Sequence, residues 1–305
     1  MKLGKRRDRP LARSVIKVLS SVFLGRKRAH YHSWLPFLTI VARDSSGVGR
    51  VVYRGREIAD LKRGDHVAAA CGEAIYIIGS GPSIAEQDLS ALPLRSAMLL
   101  NGAIALIGEQ ITSPLAIVIE DERFVWRHFP MMRERIAPQH ACLFSAGVLR
   151  AICEMDPTWL GGRPITLIDD IRKPYGRQRR TAVELGVLDH VRFSARGDAG
   201  FSTVPDAGVF QGGSVVISAL QFACAMPVKT IGLIGIDISN AASPRFYETK
   251  GAVAYSGVAD AEETILAHVA LACTIANEHG IDIRNHSPVS ALSKIGLVPV
   301  PLPRG

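Results

Sequence analysis

From Ala74 onward, short apolar runs of β-type character alternate with helical stretches, and this alternation most narrowly limits what the chain can fold into. The runs are 74–79 (AIYIIG), 97–101 (AMLLN), 114–119 (PLAIVI), 141–145 (ACLFS), 164–168 (PITLI), 230–236 (TIGLIGI) and a late one at 281–284 (IDIR). Helices are expected over 83–91, 122–136, 146–155, 214–225 and 260–279. Strands that are apolar throughout are buried on both faces, and strands separated by helices pair in parallel, with the crossovers covering those faces. The expected class is therefore α/β, a doubly wound and mostly parallel sheet. Upstream, 36–43 (PFLTIVAR) and 50–54 (RVVYR) flank Ser45, Ser46 and Gly47 and read as a hairpin. This gives three parts: a basic tail at 1–30, a small β-rich appendage at 31–73, and the main body at 74–305. Residues 171–213, rich in Arg and Gly, read as long loops. Residues 238–260 have weak periodicity and follow a buried strand, and a loop of that length in a compact α/β domain points to function.

Charge separates the tail from the body. The chain carries 36 Lys+Arg against 28 Asp+Glu, a formal net charge of +8. Residues 1–30 hold ten basic side chains and one acid, so the remaining 275 residues sum to −1. A near-neutral body argues against nucleic acid as the partner. No apolar stretch reaches the roughly 18 residues needed to span a bilayer. Residues 14–24 (SVIKVLSSVFL) lack the cleavage site and apolar length of a signal peptide. Between basic clusters, they read either as an amphipathic helix on an anionic membrane surface or as a solvated leader. The first reading places the protein in the cytoplasm, peripheral on the inner face of the plasma membrane. The five cysteines, Cys71, Cys142, Cys153, Cys224 and Cys273, show no CxxC spacing and read as reduced, buried thiols.

The sharpest local motif is Gly79-Ser80-Gly81-Pro82-Ser83, which follows the first apolar strand. Its glycines allow a tight turn and close backbone approach, and Ser83 can cap a following helix whose first amides attract an anion. The third glycine of a dinucleotide fingerprint is replaced by Ile84, and no P-loop GK[ST] follows. A Rossmann-like, single nucleotide-binding domain fits this loop, as does a ligand-free strand turn. Asn101 ends the second strand, where it can read a base or ribose or simply make a turn before Gly102. Glu120-Asp121-Glu122 follows the third strand, as Mg²⁺ ligands or, preferably, as an acidic helix start with one side chain on a ribose. Gln211-Gly212-Gly213-Ser214 opens a helix as a second anion site, and Asp237 closes the strand 230–236. The nine histidines show no HxxxH or HExxH spacing, so no metal centre is expected.

Together, GSGPS at 79–83, Asn101, the Gly/Ser turn before 214, IGLIGID at 231–237, RFYETKG at 245–251 and NHSPVSAL at 285–292 resemble the bacterial sialyltransferases of glycosyltransferase family 42. They are also similar to a broader group of related glycosyltransferase-like domains. The archaeal hydroxymethylpterin pyrophosphokinases share a similar fold and Gly-Pro-Ser loop. The resemblance spans about 74–300 and implies an inverting, metal-independent transferase using a CMP-activated acidic sugar. It implies that Gly79, Ser80, Gly81, Pro82 and Ser83 lie along the CMP phosphate and ribose. Asn101, Gly213, Ser214 and Asp237 would complete the nucleotide site, with Glu120 and Asp121 beside it. A lid at about 239–262 would carry Tyr247 and Lys250. The chain departs from the family in three places. Ser80 stands where the family has Asn, and Ser239 and Arg245 fall near two lid tyrosines. Glu263, with Glu262 beside it, takes the place of the catalytic His. The expectation is then that Glu263 or Glu262, its pKa raised by burial, serves as general base, and that Arg245 neutralises the departing phosphate. Kdo or sialic acid is the expected sugar and a lipopolysaccharide or other glycolipid the acceptor, with a homo-oligomer possible. The other readings are a Mg²⁺-dependent pyrophosphokinase and a non-enzymatic, membrane-peripheral nucleotide-binding protein. The latter gains if Glu262, Glu263 and Asp237 turn away from the crevice.

Overall fold

The computed structural model describes residues 10–23, 33, 35–41, 49–238, 245–247 and 261–302. Its centre is a ten-stranded sheet in the order β1-β2-β3-β8-β7-β6-β5-β4-β11-β12. The strands are β1 Leu38–Val41, β2 Gly49–Tyr53, β3 Arg56–Leu61, β4 Ala74–Ile78, β5 Ala97–Leu100, β6 Ala116–Ile119, β7 Cys142–Ser145, β8 Ile165–Ile168, β11 Thr230–Ile234 and β12 Asp282–Asn285. The seven from β8 across to β12 run parallel, as the apolar runs predict.

Both faces are covered, because successive side chains in each strand point to opposite sides. Ile75 and Ile77 of β4 join Met98, Val118 and Leu143 beneath the helices α4 (Val215–Cys224) and α5 (Glu262–Glu278). Tyr76 and Ile78 join Leu99, Ile117 and Phe144 beneath α2 (Glu122–Arg135) and α3 (Ala146–Met155). The sheet is thus doubly wound. From β4 the chain builds outward to β8 on one side and later to β11 and β12 on the other, so the order reverses between β4 and β11.

Three elements differ from the sequence reading. The expected helix at 83–91 is only a 3₁₀ turn, Pro82–Glu86, after which Gln87 is extended. Local bonds replace the helical ladder: the Ser90 amide donates to Asp88 Oδ1 and the Leu89 amide to Gln110 Oε1. The expected N-terminal hairpin forms as β1–β2, but a third strand, β3, follows a turn in which Arg54 and Gly55 both have positive φ. Glu57 and Asp60 hide β3 in the sequence, where it lacks an apolar run. Through Leu61 opposite Ile165, β3 adds the hairpin to the main sheet, so these strands extend the body. Within 171–213, β9 (Val191–Phe193) pairs with β10 (Gly200–Ser202). Buried Gln221 of α4 holds that region: its oxygen accepts from the Ser202 and Phe210 amides, and its Nε2 donates to the Phe210 and Ile217 carbonyls.

A further helix, α1 (Leu11–Phe23), lies against the body through Arg13. Arg13 Nη2 donates to Glu154 Oε1 at 2.9 Å, and Arg13 Nε lies 3.3 Å from Glu122 Oε2. Of the five cysteines expected as buried thiols, Cys142 and Cys153 are buried while Cys71, Cys224 and Cys273 are partly exposed, and all five are unbridged. Among the described residues, no helix is long and apolar enough to cross a membrane.

Candidate functional site

Parallel pairing puts the carboxyl ends of seven strands along one edge, where an open α/β sheet holds its ligands. The edge divides into three stretches.

At the β4/β11 reversal the expected phosphate cradle is occupied by the protein itself. The Gly79 and Gly81 amides donate to the Ile234 and Gly235 carbonyls at 2.8 and 3.0 Å. The Ser83 amide and hydroxyl both donate to the Asp237 carboxylate, at 2.8 and 2.7 Å. That carboxylate presses on Gly81 so closely that a Cβ there would overlap it. Pro82 starts the 3₁₀ turn, and Ser80 between the two glycines is half-buried. Gly81 is therefore required by the close approach of Asp237, and the absence of a helix after Ser83 removes the expected anion-attracting terminus. Asp237 is buried, and burial raises its pKa while the Ser83 bonds oppose the rise. It ties two strand ends together. The NHSPVSAL segment acts in the same way. Ser287 Oγ accepts from the Ile236 amide, and Ser290 Oγ donates to the Ile236 carbonyl.

At the end of β5, Asn101 has φ +47, a left-handed conformation that costs free energy in a non-glycine residue. Its side-chain carbonyl oxygen is buried without a hydrogen-bond partner. The segment after β11 folds back here. The Tyr247 ring lies directly on Gly102, leaving no space for a Cβ. Tyr247 Oη accepts from Arg245 Nη1 at 3.3 Å, and Phe246 packs against the core. His128, where α2 departs from helical geometry near Pro130, meets the Tyr247 ring edge-on at 5.6 Å between centroids. Sequence reasoning missed His128. No spacing rule marks it, and only the fold brings α2 to the returning segment. Of the lid, only 245–247 and 261–262 are described; Ser239 and Lys250 lie outside the described residues.

At the ends of β6 to β8, Glu120 is half-buried and accepts a hydrogen bond from Ser218 Oγ of α4. Its backbone carbonyl accepts from Ser145 Oγ at 2.7 Å. Burial pushes its carboxyl up to about 7, with neighbouring Asp170 and Asp121 adding to the rise and bonds from Ser218 and Gln211 opposing it. Asp169 is likewise pushed up to about 7, chiefly by burial, although its oxygens accept from the Tyr175 amide. Asp121 caps α2 through the Arg123 amide and pairs with the Arg123 guanidinium, the helix-start role preferred from the sequence. Ser214 opens α4 as expected, without a side-chain cap bond, and Gly213 takes φ +86 against Ala261. Among the described residues, no group of three or more His, Cys, Asp or Glu side chains is placed to hold a metal ion.

The expected general bases do not meet the condition set for them. Glu263 is exposed at the start of α5, and Glu262 pairs with Lys294. Neither is buried. The carboxyls raised to about 7 are instead Glu120 and Asp169, at the ends of β6 and β8.

No family model matches the chain, and no curated protein matches it. The solved structure of the sialyltransferase CstII from Campylobacter jejuni, in complex with the substrate analogue cytidine-5'-monophosphate, is similar at 14% identity and a TM-score of 0.39, over 75% of this chain and 84% of that one.

Proposed function

We propose that this protein is an inverting glycosyltransferase that moves an acidic ulosonic sugar, of the Kdo or sialic acid type, from a CMP-linked donor to a lipopolysaccharide or other glycolipid acceptor. The observation that carries this reading is Asn101: a strained residue at a strand's carboxyl end whose buried carbonyl oxygen lacks a donor. An unmet buried acceptor costs about 1–3 kcal/mol, which a ligand donor such as an exocyclic amino group or a ribose hydroxyl recovers. Tyr247 lies on the adjacent Gly102 and accepts from Arg245, so a phosphate next to that nucleoside meets a guanidinium and a phenol. The sequence motifs of the sialyltransferase-like group support cytidine as the nucleoside.

In the proposed step, an acceptor hydroxyl oxygen attacks the anomeric carbon while the bond from that carbon to the CMP phosphate breaks. Glu120 takes the hydroxyl proton, since a carboxyl near pH 7 is matched to that task. Arg245 and Tyr247 stabilise the charge gathering on the departing phosphate. No metal is invoked.

The pyrophosphokinase reading asks Glu120 and Asp121 to hold Mg²⁺, but the Asp121 carboxylate is already paired with the Arg123 guanidinium. The binding-protein reading gains from the engagement of Asp237 by Ser83 and of Glu262 by Lys294. A thermal-shift panel of CMP, UMP, GDP and ATP, each with Mg²⁺ and with chelator, separates these, followed by CMP release from CMP-Kdo and CMP-sialic acid. A metal-independent shift with CMP and release of CMP are expected. A shift only with ATP and Mg²⁺ overturns the reading for the kinase, and CMP binding without turnover of either donor overturns it for the binding protein.

A further inference from the structure

Helix α1 is amphipathic the wrong way round for a helix packed on a protein. Arg13 faces the body and is only 4% exposed, held between Glu122 and Glu154. Val15, Val18, Leu19, Val22 and Phe23, at the i, i+3, i+4, i+7, i+8 spacing of one helical face, are 47–78% exposed. Val15 and Val22 lie about 160–200° round the helix from Arg13, so the apolar stripe looks directly away from the body. A surface helix normally buries its apolar stripe, and an outward one marks an interaction surface.

We propose that this stripe docks α1 on the surface of an anionic lipid bilayer. Charge selects the occupant. The stripe lies within the first 30 residues, which carry ten basic side chains and a single acid. Clustered Lys and Arg beside an apolar helical face are drawn to anionic headgroups, and the apolar side chains then enter the headgroup boundary. A second copy fits less well. Pairing two stripes would bring two strongly basic segments together, and five side chains cover less than the roughly 800 Å² per partner of a stable interface. A second exposed apolar side chain of the N-terminal segment sits beside a contact to α3, the helix that carries Glu154. Arg150 of α3 donates to the Leu35 and Pro36 carbonyls, next to Phe37, which is 61% exposed with φ +74. Ser33 Oγ accepts from the Gly176 amide, beside exposed Arg177 and Arg179. The Arg13–Glu122 pair joins α1 to the first residue of α2, directly after Glu120 and Asp121. Docking therefore holds the bilayer close to the acidic end of the crevice. The proposal is independent of the nucleotide reading.

The test is flotation of the full chain with vesicles of phosphatidylcholine alone and of equimolar phosphatidylcholine and phosphatidylglycerol. Binding is expected only to the second, weakening as salt is raised. The double variant V18E/V22E, altered at exposed positions, lowers that binding about tenfold or more, and its thermal unfolding matches the parent's. A second variant, Phe23→Ser, weakens binding in the same direction. Equal binding to both vesicles, no binding to either, or undiminished binding of properly folded V18E/V22E overturns the proposal. So does a vesicle-free dimer that V18E/V22E dissociates, which assigns the stripe to a second copy.

Discussion

Replacing Glu120 with Gln should stabilise the protein, and by an amount that depends on pH. The Glu120 carboxyl titrates near 7 in the folded chain and near 4.5 when unperturbed. Between those values the folded state holds the proton and the unfolded state has released it. Stability therefore falls as pH rises through this window, and the loss is complete above the folded pKa. Linkage gives a penalty of roughly 1 kcal/mol at pH 5 and about 3 kcal/mol at pH 8. Glutamine keeps an oxygen to accept from Ser218 Oγ but has no charge to desolvate. Any fixed cost of its extra N–H is the same at both pH values, and Asp169, which is raised in the same range, is present in both proteins. E120Q should thus gain about 2 kcal/mol more at pH 8 than at pH 5. Urea unfolding at the two pH values, read through Trp126 and Trp159 fluorescence, measures the difference. An equal effect at both, or a larger loss at pH 8, would refute the claim that burial raises the Glu120 carboxyl to about 7. A carboxyl kept at a cost to stability marks a functional trade-off, so the more stable E120Q should also have lost transferase turnover.

Removing the Asp237 carboxylate with Asp237→Ala breaks both Ser83 bonds and should cost about 2–3 kcal/mol in urea unfolding; an unchanged midpoint would show that the strand-end tie is dispensable. Gly102→Ala places a methyl group where the Tyr247 ring lies, and should abolish the CMP thermal shift while the protein stays folded by circular dichroism. Arg13→Ala leaves Glu122, whose side chain is 1% exposed, without that cation, and should destabilise by about 3 kcal/mol in urea unfolding. Glu263→Gln, on an exposed helix start, should change unfolding by less than about 0.5 kcal/mol and leave CMP release intact; a large loss of CMP release would return the base role to Glu263.

The parallel sheet was legible because burial on both faces leaves a direct mark, the near-continuous apolar run, and because the helical stretches separate those runs. Strands β4 to β8, β11 and β12 and helices α2 to α5 all lie within a few residues of their expected bounds. β3 escaped because Arg56, Glu57 and Asp60 interrupt its apolar residues, so although it lies between β2 and β8 it has no such run. Asn101 and Glu120 were legible as strand-end polar residues in a position where ligands bind. Their state was not. Whether a carboxyl is neutral or an amide oxygen unmet depends on what surrounds it, and those neighbours, Ser218, Gln211 and Asp170, come from distant parts of the chain. The same holds for the glycine loop. Composition shows that Gly79–Ser83 can cradle an anion, but an internal anion, the Asp237 carboxylate, arrives there from 154 residues away. The spacing of Val15, Val18, Leu19, Val22 and Phe23 marks an amphipathic helix beside a basic cluster. Only the contacts of Arg13 decided that its apolar side faces outward, because orientation follows from which side finds a partner on the body. Local sequence thus determines period and capacity, and tertiary structure decides which capacities are already spent inside the protein and which remain for a ligand or a surface.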